Sequence, residues 1–158
     1  MKLIILTQGY STVVDDEDYE ELSKYKWTYN HNYAVRGIKN NSTKSKRTLI
    51  SMHRTILQPS NDLDVDHING NGLDNRRSNL RVCTHLENMG NTKLIANNNT
   101  SGYKGVVWDK TRNKWRAQIK IRYTNKFLGR FIYKTEAALA YNEAATKYFG
   151  EYAKLNMI

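Results

Sequence analysis

The chain of 158 residues has one cysteine, one proline and no long apolar run. A single thiol, Cys83, excludes an internal disulfide and any zinc ribbon built on four cysteines. Cys83 continues the apolar pattern of Leu80 and Val82, so a small buried hydrophobe is its expected role. The N-terminal apolar run, Leu3 to Leu6, is too short for a signal-peptide core, and no segment approaches the length of a membrane span. These absences predict a cytoplasmic protein with no membrane partner. Acid is also scarce: 15 Asp and Glu stand against 25 Lys and Arg, a formal net charge of +10.

The charge is unevenly spread. Residues 1–60 carry net +3, residues 61–92 carry net −2, and residues 93–158 carry net +9. Acids therefore collect in the middle, and the C-terminal third is a cationic arm. Such a balance suggests a polyanionic partner, most often nucleic acid. An apolar fraction of 39% suffices for one core or two small ones.

The stretch that carries chemistry is D-H-I-N-G-N-G-L-D-N-R-R-S-N-L-R-V-C-T-H-L-E-N, from Asp66 to Asn88. A carboxylate beside an imidazole pairs a hard-cation ligand with a base. Asp66 and Asn88 can supply oxygens to an ion such as Mg²⁺, and His67 can take a proton from an attacking water. Val65 to Ile68 is expected as a strand, followed by an Asn/Gly-rich loop and a second strand from Asn79 to Cys83. Thr84 is the expected N-cap of a helix from His85 to about Leu94, with Asn88 on the same face as His85. Arg76 and Arg77, adjacent cations with no apolar pattern to serve, are expected at phosphates.

The stretch resembles the ββα-metal site of HNH endonucleases, in the Asp-His…Asn…Asn variant of phage and intron-encoded homing nucleases. The likeness runs from Arg54 to about Lys93. It implies that Asp66 and Asn88 hold one divalent metal ion, Mg²⁺ or Mn²⁺. It further implies that His67 is the general base and that Asn79 braces the loop carrying it. Asn88 stands where the family name has its final histidine. HNH relatives often carry a His-Arg pair upstream, here His53 and Arg54. His53 is read as a brace and Arg54 as a phosphate contact.

Upstream, residues 1–14 read as a strand pair around Gly9-Tyr10. Asp15 caps a helix from Asp16 to about Tyr25, with Tyr19, Leu22 and Tyr25 as its buried stripe. Its early acids suit the helix dipole better than a metal. A hairpin turns at His31-Asn32, and Trp27 shares a strand face with Tyr29. Residues 39–47 form a polar cationic loop before a strand from Leu49 to Met52, and a short helix runs from Met52 to Leu57. The polar run 96–101 reads as a linker.

In the C-terminal segment Trp115, Ala117, Ile119 and Ile121 alternate with Arg116, Gln118, Lys120 and Arg122. That is a strand with one face on a core and one suited to phosphates and base edges. Strands from Lys104 to Trp108 and Lys126 to Ile132 flank it. A helix capped by Thr135 runs from Glu136 to Phe149 and stops at Gly150. The segment S-G-Y-K-G-V…K-W-R-A-Q-I-K…F-L-G-R-F…T-E-A-A-L-A-Y-N-E-A-A…F-G resembles the DNA-binding domain of plant APETALA/ethylene-response factors. That likeness implies a three-stranded sheet on duplex DNA, with Lys104, Gln118, Lys120 and Phe127 at the contact. Val107 and Asn125 stand where the plant proteins have contacting arginines.

The expected architecture is α+β. Residues 1–95 form a nuclease domain, with a β-rich part at 1–58 and a ββα-metal core at 59–95. Residues 102–158 form a DNA-binding domain with one helix backing three antiparallel strands. The expected activity is metal-dependent hydrolysis of a phosphodiester bond to 5′-phosphate and 3′-hydroxyl ends, as nicks, by a monomer or weak dimer with no obligate protein partner. The alternative is a DNA-binding regulator without cleavage.

Overall fold

The computed structural model describes residues 1–39, 47–91 and 99–158; most of the cationic loop 39–47 and part of the linker 96–101 lie outside the described residues. The described chain is mixed α/β, with several small antiparallel sheets and four helices. It divides into two compact units, Met1–Thr84 and His85–Ile158.

In the first unit β1 (Lys2–Ile5) and β2 (Ser11–Val14) form an antiparallel hairpin, closed where Gly9 takes φ +80°. Helix α1 (Asp16–Ser23) follows. Asp15 precedes it without a side-chain cap; its carboxylate accepts the Arg77 backbone N–H at 2.8 Å instead. A tertiary partner has displaced the local cap. Of the expected stripe, Leu22 is buried, Tyr19 packs partly buried against the core, and Tyr25 stays exposed with the Arg36 guanidinium 3.7 Å from its ring centroid.

Strands β3 (Thr28–Asn30), β4 (Tyr33–Lys39) and β5 (Arg47–Ser51) form a second antiparallel sheet. His31 and Asn32 both take positive φ at the β3–β4 turn, the type I′ signature that matches strand twist. Helix α2 (Met52–Leu57) has the expected bounds, so β5 ends at Ser51 rather than at Met52, and the helix buries Met52 and Ile56. The last hairpin of the unit pairs β6 (Asp64–His67) with β7 (Leu80–Cys83), after a 3₁₀ turn at Arg77–Asn79. One core joins these elements through Leu6, Val14, Leu22, Trp27, Met52, Val65 and Leu80. Trp27 is its largest member, and its indole N–H donates to the Leu22 carbonyl at 2.8 Å.

The second unit opens with the short helix α3 (His85–Gly90). Strands β8 (Val106–Asp109), β9 (Lys114–Ile121) and β10 (Thr124–Phe131) make an antiparallel sheet in the order β10-β9-β8. Helix α4 (Lys134–Phe149) packs on it. Its alanines explain the close approach: Ala137, Ala138 and Ala145 are fully buried with Val106, Ala117 and Ile119. Tyr133 rather than Thr135 is the N-cap, and the Glu136 carboxylate accepts its backbone N–H at 3.4 Å. Gly105 takes φ +75°, and a Cβ on it would collide with the Tyr141 ring and the Gln118 carbonyl. Gly105→Ala is therefore expected to cost more than about 2 kcal/mol in a denaturant melt, because a positive φ and a steric clash fall on one residue.

Candidate nuclease site and nucleic-acid face

The Asn/Gly-rich sequence between β6 and β7 builds a loop from its own side chains. The Asn69 side-chain oxygen accepts from the Asn71 backbone N–H at 2.7 Å, and that of Asn71 accepts from the Leu73 N–H at 3.1 Å. These are Asx turns, which mimic backbone turns with a short amide. Asn79 spans the loop: its oxygen accepts the Asn69 N–H at 3.0 Å, and its amide donates to the Asp74 carbonyl at 2.8 Å. Gly72 lies against the Asn32 carbonyl and the Tyr33 ring, where a Cβ would collide with both. Arg76 grips Asp74 through two hydrogen bonds of 2.7 and 2.6 Å and holds its carboxyl below the usual range.

Asp66 and His67 close strand β6 beside this loop, 6% and 4% exposed. Asp66 faces Arg81 across the hairpin, and the Arg81 Nε and terminal N–H donate to Asp66 Oδ2 at 2.9 and 2.7 Å. A carboxylate offers about four lone-pair positions. A carboxylate oxygen suits a hard ion. The donor types fit Mg²⁺ or Mn²⁺. Among the described residues no group of three or more His, Cys, Asp or Glu side chains converges as a metal cluster.

His67 Nε2 lies 3.2 Å from Asn75 Oδ1. Burial pushes the imidazole below its ordinary pKa, against the Asn75 hydrogen bond and the nearby Asp66 and Asp74 charges, which raise it. Burial thus favours the neutral ring, the form able to accept a proton. Around it, His53 packs edge-on at 5.0 Å between centroids and Tyr33 lies at 5.6 Å.

His53 is half-buried, and its Nδ1 is buried without a hydrogen-bond partner. Burial, then the neighbouring His67 and Arg54, lower its pKa to about 4. Since the unfolded value is about 6.5, the unfolded chain binds a proton between pH 6.5 and 4 that the folded chain refuses. Stability is present above pH 6.5 and falls as pH drops through that window, by up to about 3 kcal/mol. His53→Phe, which keeps a ring and removes the titration, is expected to flatten the acid side of a melting-temperature profile.

The other expected site residues fall as follows. Arg54 donates to the carbonyls of Leu63 and Ser60 at 2.7 and 3.2 Å, and so braces the turn before β6. Arg77 pairs with Glu17 and Asp18, both at 2.7 Å. Asn88 and His85 lie on α3, in the second unit. Sequence reasoning missed Arg81, Asn75, Thr12 and Tyr33. Arg81 alone left a signal, since hairpin register sets it opposite Asp66.

In the second unit β9 alternates as expected. Ala117 and Ile119 are buried under α4, while Lys120 is exposed and Arg116 and Gln118 are half-buried on the other face. Arg116 Nε is buried without a hydrogen-bond partner. Arg122 takes φ +54° at the β9–β10 turn. Phe127 is exposed beside the Arg130 guanidinium, 4.8 Å from its ring centroid, and Arg130 is held by Asp109 at 2.8 Å. Lys104 turns inward and donates to the Gly90 carbonyl at 2.9 Å; burial lowers its pKa to about 8.

Residues 58–90 match the family model described as HNH endonuclease. Protein 3.8 of Escherichia phage T7 is 44% identical over 55 residues, covering 35% of this chain and 45% of that protein. The uncharacterized HNH endonuclease L560 of Acanthamoeba polyphaga mimivirus is 28% identical over 151 residues, 96% of this chain and 77% of its own. The chain thus spans less than half of the phage relative's length. No solved structure matches the chain. No helix among the described residues is long and apolar enough to cross a membrane. The HNH match and the mimivirus relative support a nuclease enzyme.

Proposed function

We propose that this chain, with its HNH segment at residues 58–90, is a metal-dependent endonuclease that nicks duplex DNA. The observation that carries the reading is His67: buried at the end of β6 beside Asp66 and tied through Nε2 to Asn75 at 3.2 Å. With the proton on Nε2, the lone pair that takes a proton from water is on Nδ1. The water oxygen attacks phosphorus as His67 removes its proton. The bond from phosphorus to the 3′ oxygen breaks, and that oxygen takes up a proton from solvent. The products are 5′-phosphate and 3′-hydroxyl ends.

Asp66 would offer a metal ion its carboxylate oxygen, and the family motif assigns Asn88 the same part. Such an ion, when bound, would supply charge stabilisation to the reacting phosphate. Asn79 keeps the loop closed behind His67. The second unit supplies affinity through Arg116, Gln118, Lys120, Arg122 and Phe127, with Lys104 at the edge of the sheet. Arg54, Arg76 and Arg77 act first on the fold of the first unit, and phosphate contact would be additional to their present bonds.

A non-catalytic DNA-binding regulator is the second reading. The hold of Arg81 on Asp66 favours it, since a cation already sits on the carboxylate. End chemistry separates the two. Nicked plasmid made by the protein and then treated with DNA ligase and a relaxing topoisomerase should become covalently closed, because ligase needs adjacent 5′-phosphate and 3′-hydroxyl ends. Nicks that ligase cannot seal would contradict the hydrolysis proposed, and DNA retarded but never nicked would establish the regulator.

The cationic sheet face has its own test. Arg116→Ala with Lys120→Ala should weaken binding to all duplex sequences. It should also lower the slope of log affinity against log salt by about one for each lost phosphate contact. An unchanged slope in a fluorescence-anisotropy titration would move the DNA contact elsewhere.

A further inference from the structure

Which ring nitrogen of the proposed base carries the proton depends on a relay of two further side chains, one of them distant in sequence. Asn75 and Thr12 are both fully buried, and neither is part of the Asp-His…Asn…Asn motif. The Thr12 hydroxyl donates to the Leu73 carbonyl at 2.7 Å. Its oxygen then accepts from Asn75 Nδ2 at 2.7 Å, a bond linking residues 63 apart. The same Nδ2 also points at the Gly72 carbonyl, at 3.5 Å. Asn75 Oδ1 is thereby turned toward His67 Nε2.

Every orientation in this chain follows from the one before. A carbonyl can only accept, so the hydroxyl of Thr12 is a donor toward Leu73. Its remaining capacity is to accept, which calls for the NH₂ end of Asn75. A flipped amide would set Oδ1 against the Gly72 carbonyl and would take the Thr12 hydroxyl away from Leu73. With Oδ1 facing the imidazole, Nε2 must be the protonated nitrogen. The backbone holds the chain in register: the Val13 N–H donates to Leu73 O at 2.9 Å, and the Asn75 N–H donates to Val13 O at 2.8 Å. Strand β2 thus clamps residues 73–75 from both sides.

The geometry points to Thr12 and Asn75 as positioning residues that set the tautomer of His67, placing its proton on Nε2 and its accepting lone pair on Nδ1. This rests on His67 being the base. It assigns a catalytic purpose to the N-terminal hairpin, which has no place in the motif. A histidine base in the wrong tautomer cannot take the proton from its substrate.

The test compares Thr12→Val, the same shape without a hydroxyl, with Thr12→Ser, which restores it, in the full-length protein. Imidazole ¹⁵N chemical shifts at neutral pH report the tautomer without reference to cleavage, with His67 assigned by comparison with His67→Gln. Wild type and Thr12→Ser are expected to show a protonated Nε2 and an unprotonated Nδ1. Thr12→Val should show a mixture of tautomers and cleave about 10–100-fold more slowly at saturating DNA, the usual effect of losing an orienting partner. Asn75→Leu, which removes the acceptor outright, should do the same. A proton on Nδ1 in wild type, or a Thr12→Val protein with the wild-type tautomer, would overturn the assignment. If the tautomers respond as expected but wild type does not cleave DNA, the relay stands and the nuclease reading fails.

Discussion

Replacing His67 with alanine should slow DNA cleavage by about 10²–10⁴-fold at saturating DNA and metal, the range that a positioned general base contributes. The expectation follows from where the ring sits. His67 is buried against Tyr33 and His53, and burial lowers its pKa and favours the neutral form. DNA affinity should change little, because the proposed binding residues lie on the second unit. Removing a buried ring also costs packing, so the melting temperature will fall. His67→Gln, which refills part of the space and retains a group that can meet Asn75, should be better folded and equally inactive. A rate within a few-fold of wild type in either variant would place the base elsewhere.

Asp66→Ala should have two large effects at once. Cleavage should vanish, because Asp66 is the carboxylate proposed for the metal. The fold should also lose about 3 kcal/mol, because the Arg81 side chain, 17% exposed, loses the carboxylate it grips. The effects separate in a double variant. Asp66→Ala with Arg81→Leu removes the stranded charge and should recover much of the stability in a urea melt, yet stay inactive. Cleavage retained by Asp66→Ala would remove the carboxylate from the proposed site. Stability unchanged in Asp66→Ala would show that the pair contributes nothing net.

Local chemistry made much of this fold readable. The His31-Asn32 turn, the Asn/Gly loop after His67, the alternation of β9 and the alanine stripe of α4 are each written in contiguous residues. What escaped was decided by specific partners, some of them distant in sequence. Asp15 looks like a helix cap, but its carboxylate is taken by the Arg77 backbone 62 residues away. Arg76 and Arg77 look like loop cations seeking phosphates, while Asp74, Glu17 and Asp18 hold them. Helix α4 starts two residues earlier than its threonine suggests, with the Glu136 carboxylate accepting the Tyr133 backbone N–H.

The candidate site divides the same way. Asp66, His67 and Asn79 were legible because the motif needs them at fixed spacing. Thr12 and Asn75 were not: a threonine in a strand and an asparagine among several asparagines carry no local mark. Only the approach of β2 to the loop gives them a role. Arg81 was nearly legible, since antiparallel register alone sets it across from Asp66.

The most direct measurement is on supercoiled plasmid DNA incubated with the full-length protein and Mg²⁺, beside an EDTA lane and a His67→Ala lane. Conversion to open circles with Mg²⁺, absent from both controls, is the predicted result. Intact supercoils in every lane, on DNA that the protein demonstrably binds, would contradict the account, as would open circles from His67→Ala at the wild-type rate.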